Sequence, residues 1–161
     1  RRGFDECHAA LGSSVRREPG DVRSLRQDLG RFDVGILGNV LQHLRDPGGA
    51  LLAVAAMCNV IVVTEADWMH GHVPDELPAL VTFDTDQPWS WYQARPAWVA
   101  DMLRRNDFDG ITIEHHAQRY HGSIWPDDGP RPDPVEVPHF TVVGWHRDVP
   151  QRDRRDTPGN S

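Results

Sequence analysis

Residues 32–65 alternate long apolar runs with short polar breaks: FDVGILGNVLQHLRDPGGALLAVAAMCNVIVVTE. The run 32–37 predicts a strand buried on both faces. After a turn, Asp46-Pro47 marks a helix start, with Asp as N-cap and Pro at the first helical position. Ala50, Leu51, Leu52, Val54, Ala55 and Met57 make that helix apolar round most of its circumference, and Asn59 is expected to stop it. The β-branched run 60–64 is a second strand. Strand, helix and strand in this order predict a βαβ crossover whose two strands are parallel and adjacent. Ligands of open α/β sheets sit just beyond the carboxyl ends of such strands. That places Gly38, Asn39, Gln42 and His43 at one mouth, and Glu65, Ala66 and Asp67 at the other.

The remaining elements are arranged around this unit. In residues 1–14, Phe4, His8, Ala9 and Leu11 recur at helical spacing, with Gly12 as the stop and Asp5 on the solvated face. Residues 15–25 form a weak strand pattern that Pro19 interrupts. Residues 66–92 are a polar and aromatic insertion carrying Trp68, Trp89, Trp91 and Tyr92 among His70, His72, Asp67, Asp75, Asp84 and Asp86. A stretch of this length is either a binding surface or lid, or an aromatic cap on the sheet edge. Residues 95–106 are an amphipathic helix with Trp98/Met102 and Val99/Leu103 as i,i+4 pairs and Asp101 able to meet Arg105. Residues 111–116 alternate as a strand with Ile111, Ile113 and His115 on one face. The proline-rich 122–138 reads as loop and 140–145 as the last strand. Residues 147–161, polar and without apolar anchors, are expected to be a disordered tail.

The pattern FDV-x5-VL-x-HL-x-DP is met by Phe32, Asp33, Val34, Val40, Leu41, His43, Leu44, Asp46 and Pro47. It resembles the fourth strand and following turn of class I S-adenosylmethionine-dependent methyltransferases, nearest to the group that includes the wobble-uridine tRNA methyltransferases and their small-molecule relatives. That group often carries Gly where this chain has Asn39 and an aromatic residue where it has Gln42. The stretch WSWYQARPAWVADMLRRNDF, residues 89–108, is similar to the group's Trp-rich turn and helix ending in Gly-Phe, here Asp107-Phe108. The resemblance spans residues 9–146. It implies a Rossmann-like α/β domain over 1–146, mostly parallel with an antiparallel last strand, in which 15–25 corresponds to the third strand. The N-terminal strand and its glycine-rich turn are missing from that correspondence, and no GxGxxG follows a strand anywhere in the chain.

The resemblance also implies the site. S-adenosylmethionine is the expected cofactor, with Asp21 and Val22 on its adenine side and Gly38, Asn39, Val40 and Gln42 at the cofactor lip. Methyl transfer from a sulfonium requires alignment, exclusion of water and in some cases removal of a proton. His43 is the candidate base, its alternative being a structural turn histidine. Glu65, Trp68, Trp89, Trp91 and Tyr92 are the candidate acceptor contacts. Glu65 has a second reading as the acceptor for neighbouring backbone amides, and the aromatics as packing on the sheet.

Composition narrows the partners. The chain has 161 residues, 39% of them hydrophobic and 25% charged, enough for one domain with a core. No apolar run approaches the roughly 20 residues of a membrane helix. Cys7 and Cys58 indicate neither a disulfide framework nor a CxxC site, so a reducing cytoplasm is expected. A net charge of −7 disfavours nucleic acid, which leaves an oxygen or nitrogen of a small molecule as the expected acceptor. All 17 basic residues are Arg, a bias that GC-rich coding accounts for. Because the first residue is Arg1, the chain reads as a fragment. His70-x-His72 with Asp67 and Asp75 has no third ligand fixed by spacing, and His115 and His116 point to opposite faces of a strand, so no metal is assigned. The rival reading is a non-catalytic domain that keeps the fold for partner contact. An NAD-dependent enzyme lacks its fingerprint.

Overall fold

The structure, a computed structural model, describes residues 2–82, 90–120 and 134–149. Strand β1 (Phe32–Gly38) pairs in parallel with β2 (Cys58–Ala66), and helix α2 (Pro47–Ala55) bridges them, as the apolar pattern predicts. Asp46 caps α2, its side chain accepting from the Gly49 amide at 2.8 Å. Helix α2 ends at Ala55 and β2 begins at Cys58, so Asn59 lies inside the strand instead of stopping the helix.

A central sheet of order β1-β2-β6-β5 is completed by β5 (Thr112–Tyr120) and β6 (Val135–Trp145). Strand β6 is antiparallel to both of its neighbours, so β1, β2 and β5 run one way and the last strand runs back between β2 and β5. The expected loop 122–138 therefore ends earlier than its prolines suggest, since β6 starts at Val135. Pro138 is tolerated because the β2 register stops at the Ala66–His139 pair, beyond which only β5 is alongside. The insertion after β2 carries a small antiparallel pair, β3 (Leu80–Thr82) and β4 (Tyr92–Ala94).

Helices α2 and α3 (Pro96–Arg104) cover one face of the sheet. The core between them is built from Leu37, Leu51, Ile61, Val63, Val99, Leu103, Phe108, Phe140 and Val142. In α3 the expected Asp101–Arg105 pair is replaced by Asp101–Arg104 at 3.0 Å. The helix closes through Asp107, whose φ of 68° is left-handed, while the Phe108 amide returns to the Leu103 carbonyl at 3.2 Å.

Strand β1 is not buried on both faces. It is the sheet edge, and on the face opposite the helices Val34 is 49% and Ile36 71% exposed. Only Gly35 and Leu37 of β1 turn into the core. That open face continues across Val60 and Trp145 as a shallow groove bordered by Asp33, Asn59 and Val149.

Residues 15–25 do not form a strand. Asp21 instead caps a single 3-10 turn, Val22–Ser24, accepting from the Arg23 amide, and this turn packs against α2. Pro19 and the self-capping Asp21 favour the turn over a ladder. Helix α1 (Arg2–Ala10) matches its expected span and buries no residue. Residues 147–149 extend the described fold past 146, with Arg147 donating to the Asp107 carbonyl at 2.8 Å; residues 150–161 lie outside the described residues. Among the described residues no helix is long and apolar enough to cross a membrane. Cys7 and Cys58 are both free.

Gly35 of β1 is pressed closely between α2 and β2. A Cβ there would stand 2.5 Å from Cys58 Sγ and 2.9 Å from Val54 Cγ1. Gly35→Ala is expected to destabilise the fold by about 1–3 kcal/mol through overpacking. Urea denaturation checks this, and an unchanged midpoint would mean that α2 is not pressed onto β1 at this point.

Candidate functional site

The carboxyl ends of β1 and β2 open on the same side of the sheet and are tied together by two side chains. Asn39 ends β1 with φ 50°, a left-handed conformation that Asn adopts more readily than most residues. Its amide donates to the Thr64 carbonyl at 2.7 Å, and its Oδ1 accepts from the Ala66 amide at 2.8 Å. Glu65, 1% exposed, reaches the other way: its Oε1 accepts from the amides of Val40 and Leu41, both at 2.9 Å. These bonds hold the 3-10 turn Leu41–His43 over the end of β2.

Glu65 thus follows the second of its two expected readings, binding neighbouring amides. Burial pushes its carboxyl up from the ordinary value of 4.5, against the opposing pull of the Leu41, Val40 and Gln42 amides and of His43. His43 sits exposed on the same turn. Gln42 is buried, with its Oε1 3.4 Å from the Trp68 indole nitrogen and its carbonyl accepting from the Trp91 amide at 2.7 Å. Trp68 and Trp91 are 37% and 42% exposed, and the Arg45 guanidinium lies 4.7 Å from the Trp91 ring centre. Asn39, Val40, Gln42, His43, Glu65, Trp68 and Trp91 are therefore brought to one mouth. Tyr92 lies beside them in β4, opposite Thr82. Trp89 lies outside the described residues.

Gly38 faces open space at the β1 exit, with nothing within 4 Å of where a Cβ would be. Asp21 and Val22 lie at the 3-10 turn that packs against α2. The Arg23 side chain, and with it the Arg23 amide, holds the Asp21 carboxyl down at about 2.

Three buried polar residues of the mouth escaped the sequence reading. Gln93 donates to the carbonyls of Ala66 (2.8 Å) and Ala94 (3.0 Å) and accepts from the Trp68 amide at 3.2 Å. Its alternation within a short apolar run was the available signal. Arg95 is fully buried and pairs with Asp67 and Asp75. His139 is 1% exposed, with Nδ1 2.9 Å from the Val137 carbonyl, and Tyr120 Oη and Asn39 Nδ2 at 3.2 and 3.4 Å from Nε2. That arrangement suits the tautomer that donates from Nδ1 and accepts at Nε2. His139 falls between the stretch read as loop, 122–138, and the one read as strand, 140–145, so no pattern marked it.

No protein-family model matches the chain, and no curated protein matches it in sequence. Solved structures do match its fold. The N-terminal domain of EvdMO1 with SAH bound superposes with a TM-score of 0.59 at 21% identity, over 91% of this chain and 60% of that one. The same domain in the presence of SAH and D-fucose gives 0.59 at 21%, over 91% and 61%. EvdMO1 itself gives 0.55 at 23%, over 91% of this chain and 29% of that one. The chain thus has the α/β fold of that domain and spans about 60% of its length.

Glu65 offers a direct test of the mouth. Glu65→Ala leaves the Val40 and Leu41 amides without their acceptor and is expected to cost at least about 1–3 kcal/mol. Glu65→Gln keeps an acceptor oxygen and is expected to cost far less. The folded-state pKa of Glu65 is raised, so its favourable contribution is complete below 4.5 and is lost as pH rises through the folded value. Glu65→Gln should accordingly gain on the unmodified protein as pH rises from 4 towards 7. Denaturation midpoints across that range measure it, and a parallel pH dependence of the two proteins would contradict the burial effect.

Proposed function

We propose that this chain is the later part of an S-adenosylmethionine-dependent methyltransferase domain that methylates an oxygen or nitrogen of a small molecule. The observation that carries the reading is the overlap of 91% of the chain with the fold of an SAH-bound domain. The polar mouth lies where open α/β sheets bind their ligands. The same reading holds that the cofactor pocket is completed by sequence outside these 161 residues. The open edge of β1, its exposed Val34 and Ile36, and the 60% coverage of the EvdMO1 domain support it.

The residues present fit such a cofactor on one side. The absence of any neighbour at Gly38 leaves the β1 exit clear for close approach, and the turn 39–43 is held rigid from below by Glu65. The cofactor would supply an electrophilic methyl group on a sulfonium. The protein's contribution is then position and dryness. Gly38, Asn39, Val40 and Gln42 would border the cofactor, with Asp21 and Val22 towards its adenine. Trp68, Trp91, Tyr92 and, by sequence, Trp89 would cover the acceptor with flat apolar surface. His43 is the base of this reading: it is exposed on the same turn, and an imidazole is a side chain suited to proton transfer. The net charge of −7 favours a small acceptor over a polyanion.

Calorimetric titration of SAH tests the proposal. The 161-residue chain alone is expected to bind it weakly, and the longer polypeptide that carries it is expected to bind in the micromolar range. Failure of the longer polypeptide to bind SAH would favour the non-catalytic reading. Within that polypeptide, Trp91→Ala should raise the acceptor KM with cofactor affinity nearly unchanged, and His43→Ala should lower kcat by about 10²-fold. Loss of cofactor binding in Trp91→Ala, or an unchanged kcat in His43→Ala, would reverse these assignments.

A further inference from the structure

Beyond the end of β2, on the helix-covered side of the sheet, two carboxylates and two imidazoles converge. Asp67 is 1% exposed and is fixed by its amide, which donates to the Pro138 carbonyl at 2.7 Å. Arg95, fully buried, binds one oxygen of Asp67 through Nη1 and one oxygen of Asp75 through Nη2. The same Nη2 donates to the Val73 carbonyl at 3.0 Å. Each carboxylate is thereby held by Oδ1 and presents Oδ2 to the same gap. His70 Nδ1 stands 3.7 Å from Asp67 Oδ2, and His115 Nε2 stands 3.6 Å from Asp75 Oδ2. One donor atom from each of the four residues lies within 4.8 Å of the other three.

Two features separate this cluster from an ordinary group of surface charges. Asp67 Oδ2 is buried and has no hydrogen-bond partner, and it faces the gap. Leaving a buried carboxylate oxygen unpaired is costly, and the His70 imidazole at 3.7 Å is too distant to hydrogen-bond it. The charge is also unbalanced, since two carboxylates surround a single guanidinium, with one negative charge left over. We infer that Asp67, His70, Asp75 and His115 form a binding site for a first-row divalent metal ion, of which zinc is the natural occupant.

Two imidazole nitrogens and two carboxylate oxygens form a donor set that suits zinc better than magnesium or calcium, which prefer all-oxygen shells. Bonds of about 2.0–2.2 Å would bring the donors to roughly 3.3 Å from one another. The contraction falls on the histidines, whose side chains are 52% and 37% exposed and free to turn, while Arg95 keeps the carboxylates oriented. Four protein donors close the shell, as in structural zinc sites. The ion would join the exit of β2, the turn through Asp75 and the edge strand β5. His72, two residues from His70 in sequence, has no place in the cluster. The inference owes nothing to the proposed methyl transfer and stands or falls separately from it.

The test is titration of Zn2+ and of Co2+ into the chelator-treated 161-residue chain, followed by calorimetry, melting temperature and the visible absorption of bound Co2+. One saturable equivalent is expected, with a raised melting temperature and the intense visible bands of four-coordinate cobalt. His70→Ala and His115→Ala, both at half-exposed positions that the fold does not need, should each weaken binding at least about tenfold. His72→Ala should leave it unchanged. Absence of a saturable equivalent, an equal loss in His72→Ala, or unchanged binding in both His70→Ala and His115→Ala would overturn the assignment.

Discussion

The mouth of this sheet depends on one buried carboxylate. Where two parallel strands end together, the chain leaving each of them carries amides that no ladder satisfies, and buried backbone donors must find acceptors. Glu65 supplies one for the turn after β1, accepting from Val40 and Leu41 at 2.9 Å, while Asn39 returns the favour by accepting from Ala66. The two strand ends are cross-stitched, each by a side chain of the other. Gln42 takes its place against Trp68 and Trp91 only because the turn beneath it cannot move. The raised proton affinity of Glu65 is the electrostatic cost of placing that stitch inside the fold.

The βαβ unit was legible because its signals are local. An apolar run, an Asp-Pro start and a β-branched run each state their own structure, and they form the expected strand, helix and parallel strand, although the helix ends at Ala55 and Asn59 lies inside β2. What was not legible depends on partners far away in sequence. Whether an apolar strand is buried on both faces is decided by what covers it, and nothing in Phe32–Gly38 itself reveals that β1 lies at an edge. Val135–Pro138 joined a strand despite Pro138 because β5 extends past the end of β2. The metal-like cluster was missed for the same reason. His70 was read with its sequence neighbour His72, whereas the sheet brings it to His115, and Arg95, which orients both carboxylates, bore no mark of burial in an amphipathic helix pattern.

Two left-handed residues answer the same backbone constraint. Among the described residues Asn39 and Asp107 are the two non-glycine positions with positive φ, 50° and 68°. The backbone demands a left-handed residue at both points, after β1 and after α3. Asn and Asp are the side chains that meet the demand at least strain. Asn39 adds a bond to Ala66 that glycine could not make, which gives the strand end a fixed crossing to β2.

The uncovered side of β1 has a consequence for how the chain behaves in a crowded solution. Among the described residues no strand pairs with the outer side of β1, and an edge of the sequence FDVGILG, with its exposed apolar side chains, is a template on which a second strand can grow. Asp33 is the only charge in that run. At its start, Arg31 is drawn back onto the Ala56 and Cys58 carbonyls and Asn59. Asp33 is thus the gatekeeper of this edge, repelling an identical strand laid beside it, and the restraint it exerts weakens with added salt.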